Sequence, residues 1–140
     1  MSSSPEFNLY ISHAWKYGEQ YDRLIEMLDS AADFQYKNSS TPADKPKENA
    51  NTDAGELAIM AATDRRIAAS QGVIVLAGVF IPNKYWMNKE LESALQHKKP
   101  IIGIIPWGQG RMPIEVQKGA TEIVGWSAAS ITEAIRKHFT

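Results

Sequence analysis

Val73-Ile74-Val75-Leu76-Ala77 is an unbroken apolar run, and Ile101-Ile102-Gly103-Ile104-Ile105 is a second, each bounded by Gly and Pro. A strand with one wet face alternates apolar and polar residues. A continuous run belongs to a strand covered on both faces, as in the centre of a parallel sheet. Between the two runs, Met87, Leu91, Ala94 and Leu95 fall on the inner stripe of a helix that ends before Lys98-Lys99-Pro100. Strand, helix and strand in this order predict a parallel crossover, which is right-handed in nearly all cases.

The pattern continues on both sides. Phe7-Asn8-Leu9-Tyr10-Ile11 reads as a first strand that stops at Ser12-His13-Ala14. Tyr21, Leu24, Ile25 and Leu28 follow at i, i+3, i+4 and i+7, the stripe of an amphipathic helix. Phe34-Gln35-Tyr36 is a short second strand, and Leu57, Met60, Ala61, Ile67 and Ala68 outline a second helix ending near Gln71-Gly72. Ile123-Val124-Gly125-Trp126 is a last short strand. Ser130 with Glu133 is a capping-box pattern ahead of a terminal helix through Ile131, Ala134, Ile135, His138 and Phe139. The sum is one domain over residues 1–140: a three-layer, flavodoxin-like α/β fold. Its five-stranded, mostly parallel sheet has the order 2-1-3-4-5 and helices on both faces.

Composition excludes several classes. The chain has 140 residues, 44% apolar and 22% charged, an ordinary globular mixture for one core. Fifteen Lys and Arg nearly cancel sixteen Asp and Glu, so no global basic field points to nucleic acid or to an anionic membrane. No run approaches the length of a membrane span, and Met1-Ser2-Ser3-Ser4-Pro5 lacks the basic and apolar regions of a signal peptide. With no cysteine there is no disulfide framework and no thiolate nucleophile. A cytoplasmic location is the simplest expectation.

Ligands of such sheets bind beyond the carboxyl ends of the strands. That rim holds Ser12-His13, the loop of residues 38–54, residues 78–85 and residues 106–111. The loop of residues 38–54 has two prolines and no apolar side chain but alanine, which makes it a candidate lid. Glu90 lies three residues after Met87 and one before Leu91, on the face that packs on the sheet, and Trp86 stands one turn earlier. A carboxylate there is costly unless a cleft solvates it or a partner satisfies it. It is either a site residue or a boundary residue that reaches solvent or pairs with Lys98 or a loop base.

Other constellations are weaker. Ser12 and His13 are adjacent on an extended chain and point opposite ways, which argues against a nucleophile and base but allows two loop ligands. His97 and His138 sit in last turns of helices, where a positive charge complements the dipole. They make no metal site. Gly108-Gln109-Gly110 lacks the Lys-Ser/Thr of a phosphate loop, although Arg111 offers an anion contact. Asp64, seven residues after Leu57, reads as a hydrogen-bonded structural carboxylate.

Taken together, Tyr10-Ile11-Ser12-His13-Ala14-Trp15, residues 73–78, Tyr85-Trp86-Met87-Asn88-Lys89-Glu90-Leu91, residues 99–108 and Val124-Gly125-Trp126 resemble the TIR-like domains. The resemblance is closer to the bacterial subgroup of Thoeris antiphage defence, and it covers nearly the whole chain. It implies that Glu90 is the catalytic residue of NAD+ cleavage, with NAD+ as substrate and no cofactor. It further implies that Trp86 walls the nicotinamide and that Tyr10, Ser12 and His13 hold ribose or phosphate. It also implies that Asn38 and Ser39 bind substrate and that the loop they open, residues 38–54, closes over the site. The implied product is a cyclic ADP-ribose isomer or ADP-ribose conjugate that activates a separate effector protein. The implied setting is a homo-oligomer with a phage trigger, and no nucleic acid or membrane partner. The basic pair that follows the first strand in many animal TIR domains is His13-Ala14 here. Two rival readings share these features: a non-catalytic TIR assembly module, and a nucleoside deoxyribosyltransferase-like N-glycosidic enzyme.

Overall fold

The structure is a computed structural model and describes residues 6–12, 19–40, 53–76, 84–105 and 112–139. Strands and helices alternate throughout. The order is β1 (Glu6–Ser12), α1 (Glu19–Ser30), β2 (Gln35–Asn38), α2 (Asp53–Ala69), β3 (Gly72–Leu76), α3 (Lys84–Gln96), β4 (Ile101–Ile104), α4 (Ile114–Gly119), β5 (Glu122–Val124) and α5 (Ala128–His138). The five strands form one sheet in the order β2-β1-β3-β4-β5, and every neighbouring pair is parallel. The expected α/β architecture and strand order are therefore those observed.

Residues of β3 and β4 are buried throughout, as their unbroken apolar runs require. Their side chains divide by alternation between two core layers. One layer joins Leu9, Ile11, Ile74, Leu76, Ile102 and Ile104 to Leu24 and Leu28 of α1 and Ile131 and Ile135 of α5. The opposite layer joins Tyr10, Val73, Val75 and Ile101 to Ile67 of α2, Met87, Leu91 and Ala94 of α3, and Val116 of α4. Leu9 and Ile11 thus face one layer, Tyr10 the other.

Gln71 ties the first strand to the end of the last helix. The Gln71 side chain accepts a hydrogen bond from the Asn8 amide at 2.7 Å and donates to the Phe139 carbonyl at 3.0 Å. Phe139 is fully buried, and its ring lies where a Cβ on Gly72 would have to go, 2.4 Å from two ring carbons. The absence of a side chain at Gly72 is what admits the ring. Gly103 does the same on the opposite layer, where a Cβ would stand 3.0 Å from Met112 and from Val116.

Several expectations need correction. Helix α2 turns Ile59, Thr63, Ile67 and, just past its end, Ser70 inward; Ala61 and Ala68 are exposed, and Leu57 is 71% exposed. Of the stripe drawn through Leu57, Ile67 alone is buried in the core. Leu95, expected on the inner stripe of α3, is 51% exposed beside α4. The N-cap of α5 is Ser127, whose side chain accepts from the Ser130 amide, so Ser130 lies inside the helix. Helix α4 has no counterpart in the sequence reading because six residues with one buried side chain carry no period. Among the described residues, no helix is long and apolar enough to cross a membrane.

Candidate functional site

The carboxyl end of β1 meets the first half of α3. On β1, residues two apart share a face, so Tyr10 and Ser12 both point toward the layer that α3 covers. On α3, Met87, Leu91 and Ala94 pack into that layer, and the helical period carries Glu90 inward with them. Glu90 is 3% exposed. A carboxylate at that depth needs hydrogen-bond donors, and it has them. Ser12 Oγ donates to Glu90 Oε1 at 2.8 Å, and Tyr10 Oη donates to Glu90 Oε2. Of the boundary reading of Glu90, the access to solvent does not describe what is found.

Trp86 stands one turn before Glu90, half-buried against the same layer. Its ring meets Tyr85 edge-on, with centroids 5.4 Å apart and planes at 88°. Tyr85 is fixed in turn: its hydroxyl donates to Glu56 of α2 at 2.7 Å, and Lys89 Nζ lies 4.9 Å above its ring. The turn that carries Trp86 is thereby tied to α2. The rim position of this turn follows from the parallel sheet, since α3 starts at the carboxyl end of β3.

Asn38 and Ser39 end the neighbouring edge strand. Asn38 pairs in register with Leu9, three residues short of Ser12, which is about 10 Å back along the strand direction. Its amide group donates to Tyr21 Oη at 2.9 Å and accepts from the Ser40 amide at 3.0 Å, while Ser39 Oγ donates to the Asn8 side chain. The structure thus joins Tyr10, Ser12, Glu90 and Trp86 in one place, and engages Asn38 and Ser39 in local bonds at the end of β2. His13, Arg111, residues 41–52 of the proposed lid and residues 106–110 lie outside the described residues.

A second carboxylate cluster joins α2 to α3. Asp64 Oδ1 accepts from Ser93 Oγ at 2.6 Å and from His97 Nε2 at 3.0 Å. Ser93 gives its proton to the carboxylate and not to the imidazole, so the three residues are not arranged as a nucleophile, base and orienting acid. The Ser93 hydrogen bond, with smaller contributions from His97 and Arg65, holds the Asp64 carboxyl below its ordinary range against the opposing effect of burial. Asp64 is hydrogen-bonded as expected, although the Leu57 stripe that suggested it is not the core face. His138 likewise bonds Glu122 of β5 at 2.7 Å, a structural use of both histidines. Among the described residues, no group of three or more His, Asp or Glu side chains is placed to hold a metal ion.

The sequence model of the family described as Thoeris protein ThsB, TIR-like domain, matches residues 10–111. The chain belongs to this family. The matched span begins at Tyr10 and contains Ser12, Trp86 and Glu90, so every member of the cluster falls inside the TIR-like match. No curated protein matches the chain. Two solved structures share the fold of this TIR-like chain at 12% identity. One is the CMP N-glycosidase BcmB of Clostridium botulinum, with a TM-score of 0.50 over 93% of this chain and 98% of the other. The other is a conserved protein of Enterococcus faecalis V583, with a TM-score of 0.53 over 95% of this chain and 99% of the other. At that identity the likeness concerns the fold alone.

Proposed function

We propose that this ThsB-family chain is an enzyme that cleaves the nicotinamide–ribose bond of NAD+ and releases a cyclic ADP-ribose isomer or an ADP-ribose conjugate as a signal in antiphage defence. The observation that carries the reading is Glu90: an almost wholly buried carboxylate at the ligand-binding rim of a parallel sheet, with a donor on each oxygen, in a TIR-like frame. A buried carboxylate at a rim, held by two hydroxyl donors, is suited to an interaction with developing positive charge.

The reaction asks for little else. When the C1′–N bond breaks, its electron pair moves onto the nicotinamide nitrogen and cancels the positive charge there, so the leaving group needs no proton. The ribose C1′ becomes oxocarbenium-like, and a nearby anion stabilises it. In this reading Glu90 supplies that anion and accepts hydrogen bonds from ribose hydroxyls, while Trp86 walls the nicotinamide. Water that adds to C1′ and loses a proton gives ADP-ribose. A nucleophilic atom of the same molecule gives the cyclic product, and a separate acceptor gives a conjugate. The chain acts in the cytoplasm as a homo-oligomer, a phage component triggers it, and its product activates a separate effector protein. Neither nucleic acid nor membrane takes part.

The test is mass spectrometry of concentrated protein incubated with NAD+, with and without phage lysate, beside Glu90→Gln. Nicotinamide release that depends on Glu90 is expected, and the mass and retention of the second product separate hydrolysis, cyclisation and conjugation. CMP and deoxynucleosides are offered in parallel, because one carboxylate also serves other N-glycosidic bonds. Base release from those substrates but not from NAD+ would move the reading to a nucleoside-processing enzyme. Concentration-dependent assembly with every substrate intact, in the presence of lysate, would make the chain an assembly module.

A further inference from the structure

We infer that Tyr10 and Ser12 are positioning residues that clamp the Glu90 carboxylate, one hydroxyl on each oxygen, and do not themselves hold substrate. The inference deepens the reading of Glu90 as the catalytic carboxylate and rests on it. Each hydroxyl has a single proton to donate, and both protons are committed: Ser12 Oγ to Oε1 at 2.8 Å and Tyr10 Oη to Oε2. Tyr10 and Ser12 are both 0% exposed. A ribose or phosphate oxygen would have to displace Glu90 to receive either bond.

The geometry also solves a problem that a lone glutamate has. The last torsion of its side chain is soft and roughly two-fold, so the carboxylate plane is not fixed by packing. A donor on one oxygen leaves the plane free to swing about that contact; donors on both oxygens fix it. An ionised carboxylate offers about four acceptor positions, and the clamp uses two of them. The clamp spans residues 78 and 80 apart in the chain, from β1 to α3, and so sets the height of the carboxylate above the sheet edge as well as its plane.

A merely structural tie between β1 and α3 would also shift the carboxyl titration but would leave kcat per folded molecule unchanged, and the test separates the two. Protein labelled with carbon-13 at the glutamate side-chain carboxyl is titrated by NMR, with the Glu90 signal assigned from its loss in Glu90→Gln. In Tyr10→Phe and in Ser12→Ala, the Glu90 midpoint is expected to move up by about one pH unit, because a donor to the charged form is gone. With NAD+, kcat falls roughly tenfold or more, as expected for a misplaced reacting group. The Kd for NAD+, measured calorimetrically with Glu90→Gln and with Glu90→Gln/Ser12→Ala, stays the same within about twofold by the same reasoning. An unmoved midpoint in both variants, or a loss that appears in Kd instead of kcat, overturns the clamp. A wild-type protein that releases no nicotinamide overturns the NAD+ reading alone, since the carboxyl titration still decides whether the two hydroxyls hold the carboxylate. Ser12→Ala removes one atom and carries the test if Tyr10→Phe perturbs folding.

Discussion

At the residue scale, Glu90 shows how a single carboxylate is legible in a sequence while its partners are not. An acidic residue set among Met87, Leu91 and Ala94 breaks the apolar stripe, and that break alone marks it. The hydroxyls that satisfy it lie 78 and 80 residues away, and no local period reports which strand a helix will cover. Glu90→Ala and Glu90→Gln should both abolish nicotinamide release, but they should differ in stability. Gln keeps an acceptor oxygen for one hydroxyl, whereas Ala removes the acceptor of both these hydrogen bonds, at about 1–3 kcal/mol for each buried group. Thermal denaturation should therefore place the Ala variant below the Gln variant; equal melting temperatures would mean that water replaces the carboxylate. Asp64 gives a pH dependence of known sign. Its folded-state pKa lies below the unfolded value, chiefly through the Ser93 hydrogen bond. The stabilisation is therefore present above the unfolded pKa and disappears as pH falls through the folded one. Asp64→Asn should lower the melting temperature near neutral pH, and the gap to wild type should close on acidification through the carboxylate range. A gap that stays constant into strong acid would show that the Asp64 bonds do not depend on its charge.

At the element scale, the helices divide into those whose buried face is apolar and those whose buried face is mixed. Helix α1 buries Leu24 and Leu28 with Tyr21 and Ile25 beside them, and its stripe is plain in the sequence. Helix α2 buries Thr63, with Ser70 just beyond it, alongside Ile59 and Ile67, while Leu57 faces outward over a groove lined by Met60, Ala61 and residues of α3. A reading by hydrophobicity finds Ile67 but puts Leu57 on the wrong face. The end of α3 shows a different limit, because conformation there departs from residue preference. Lys98 has φ 55°, and the amides of Lys98 and Lys99 turn back to the carbonyls of Leu95 and Ala94. This is a left-handed helix stop in the position where glycine is favoured. Lys98→Gly should accordingly stabilise the protein by about 1 kcal/mol through relief of that backbone conformation. Lys98→Val should destabilise it, since a β-branched side chain tolerates positive φ poorly. Urea denaturation of both variants checks the pair. A Gly variant no more stable than wild type would show that the freedom glycine gains in the unfolded chain cancels the relief.

At the scale of the whole molecule, the sheet separates what holds the fold from what makes the site. Glu90, Tyr10 and Trp86 belong to the layer of α2, α3 and α4, whereas Phe139 belongs to the layer of α1 and α5 and closes over Gly72 at the base of β3. Gly72 pairs with Leu9 at the start of the β1–β3 ladder, and Val75 pairs with Ser12 at its far end, so the Phe139 contact and the carboxylate lie at opposite ends of the same two strands. Phe139→Ala removes a fully buried ring and should cost about 3–5 kcal/mol, a large part of the roughly 5–15 kcal/mol that holds a domain folded. The loss should appear in the urea midpoint and not in the chemistry: below that midpoint, nicotinamide release per folded molecule should match wild type. Gly72→Ala should also be strongly destabilising, because its Cβ would fall 2.4 Å from the ring. That cost exists only while the ring is there. The double variant Gly72→Ala/Phe139→Ala should therefore be much more stable than the sum of the single losses predicts, the new methyl occupying part of the vacated space. Strict additivity would mean that Gly72 is needed for its own backbone and not for the ring above it, and reduced turnover in folded Phe139→Ala would show that the two layers are coupled through the strands.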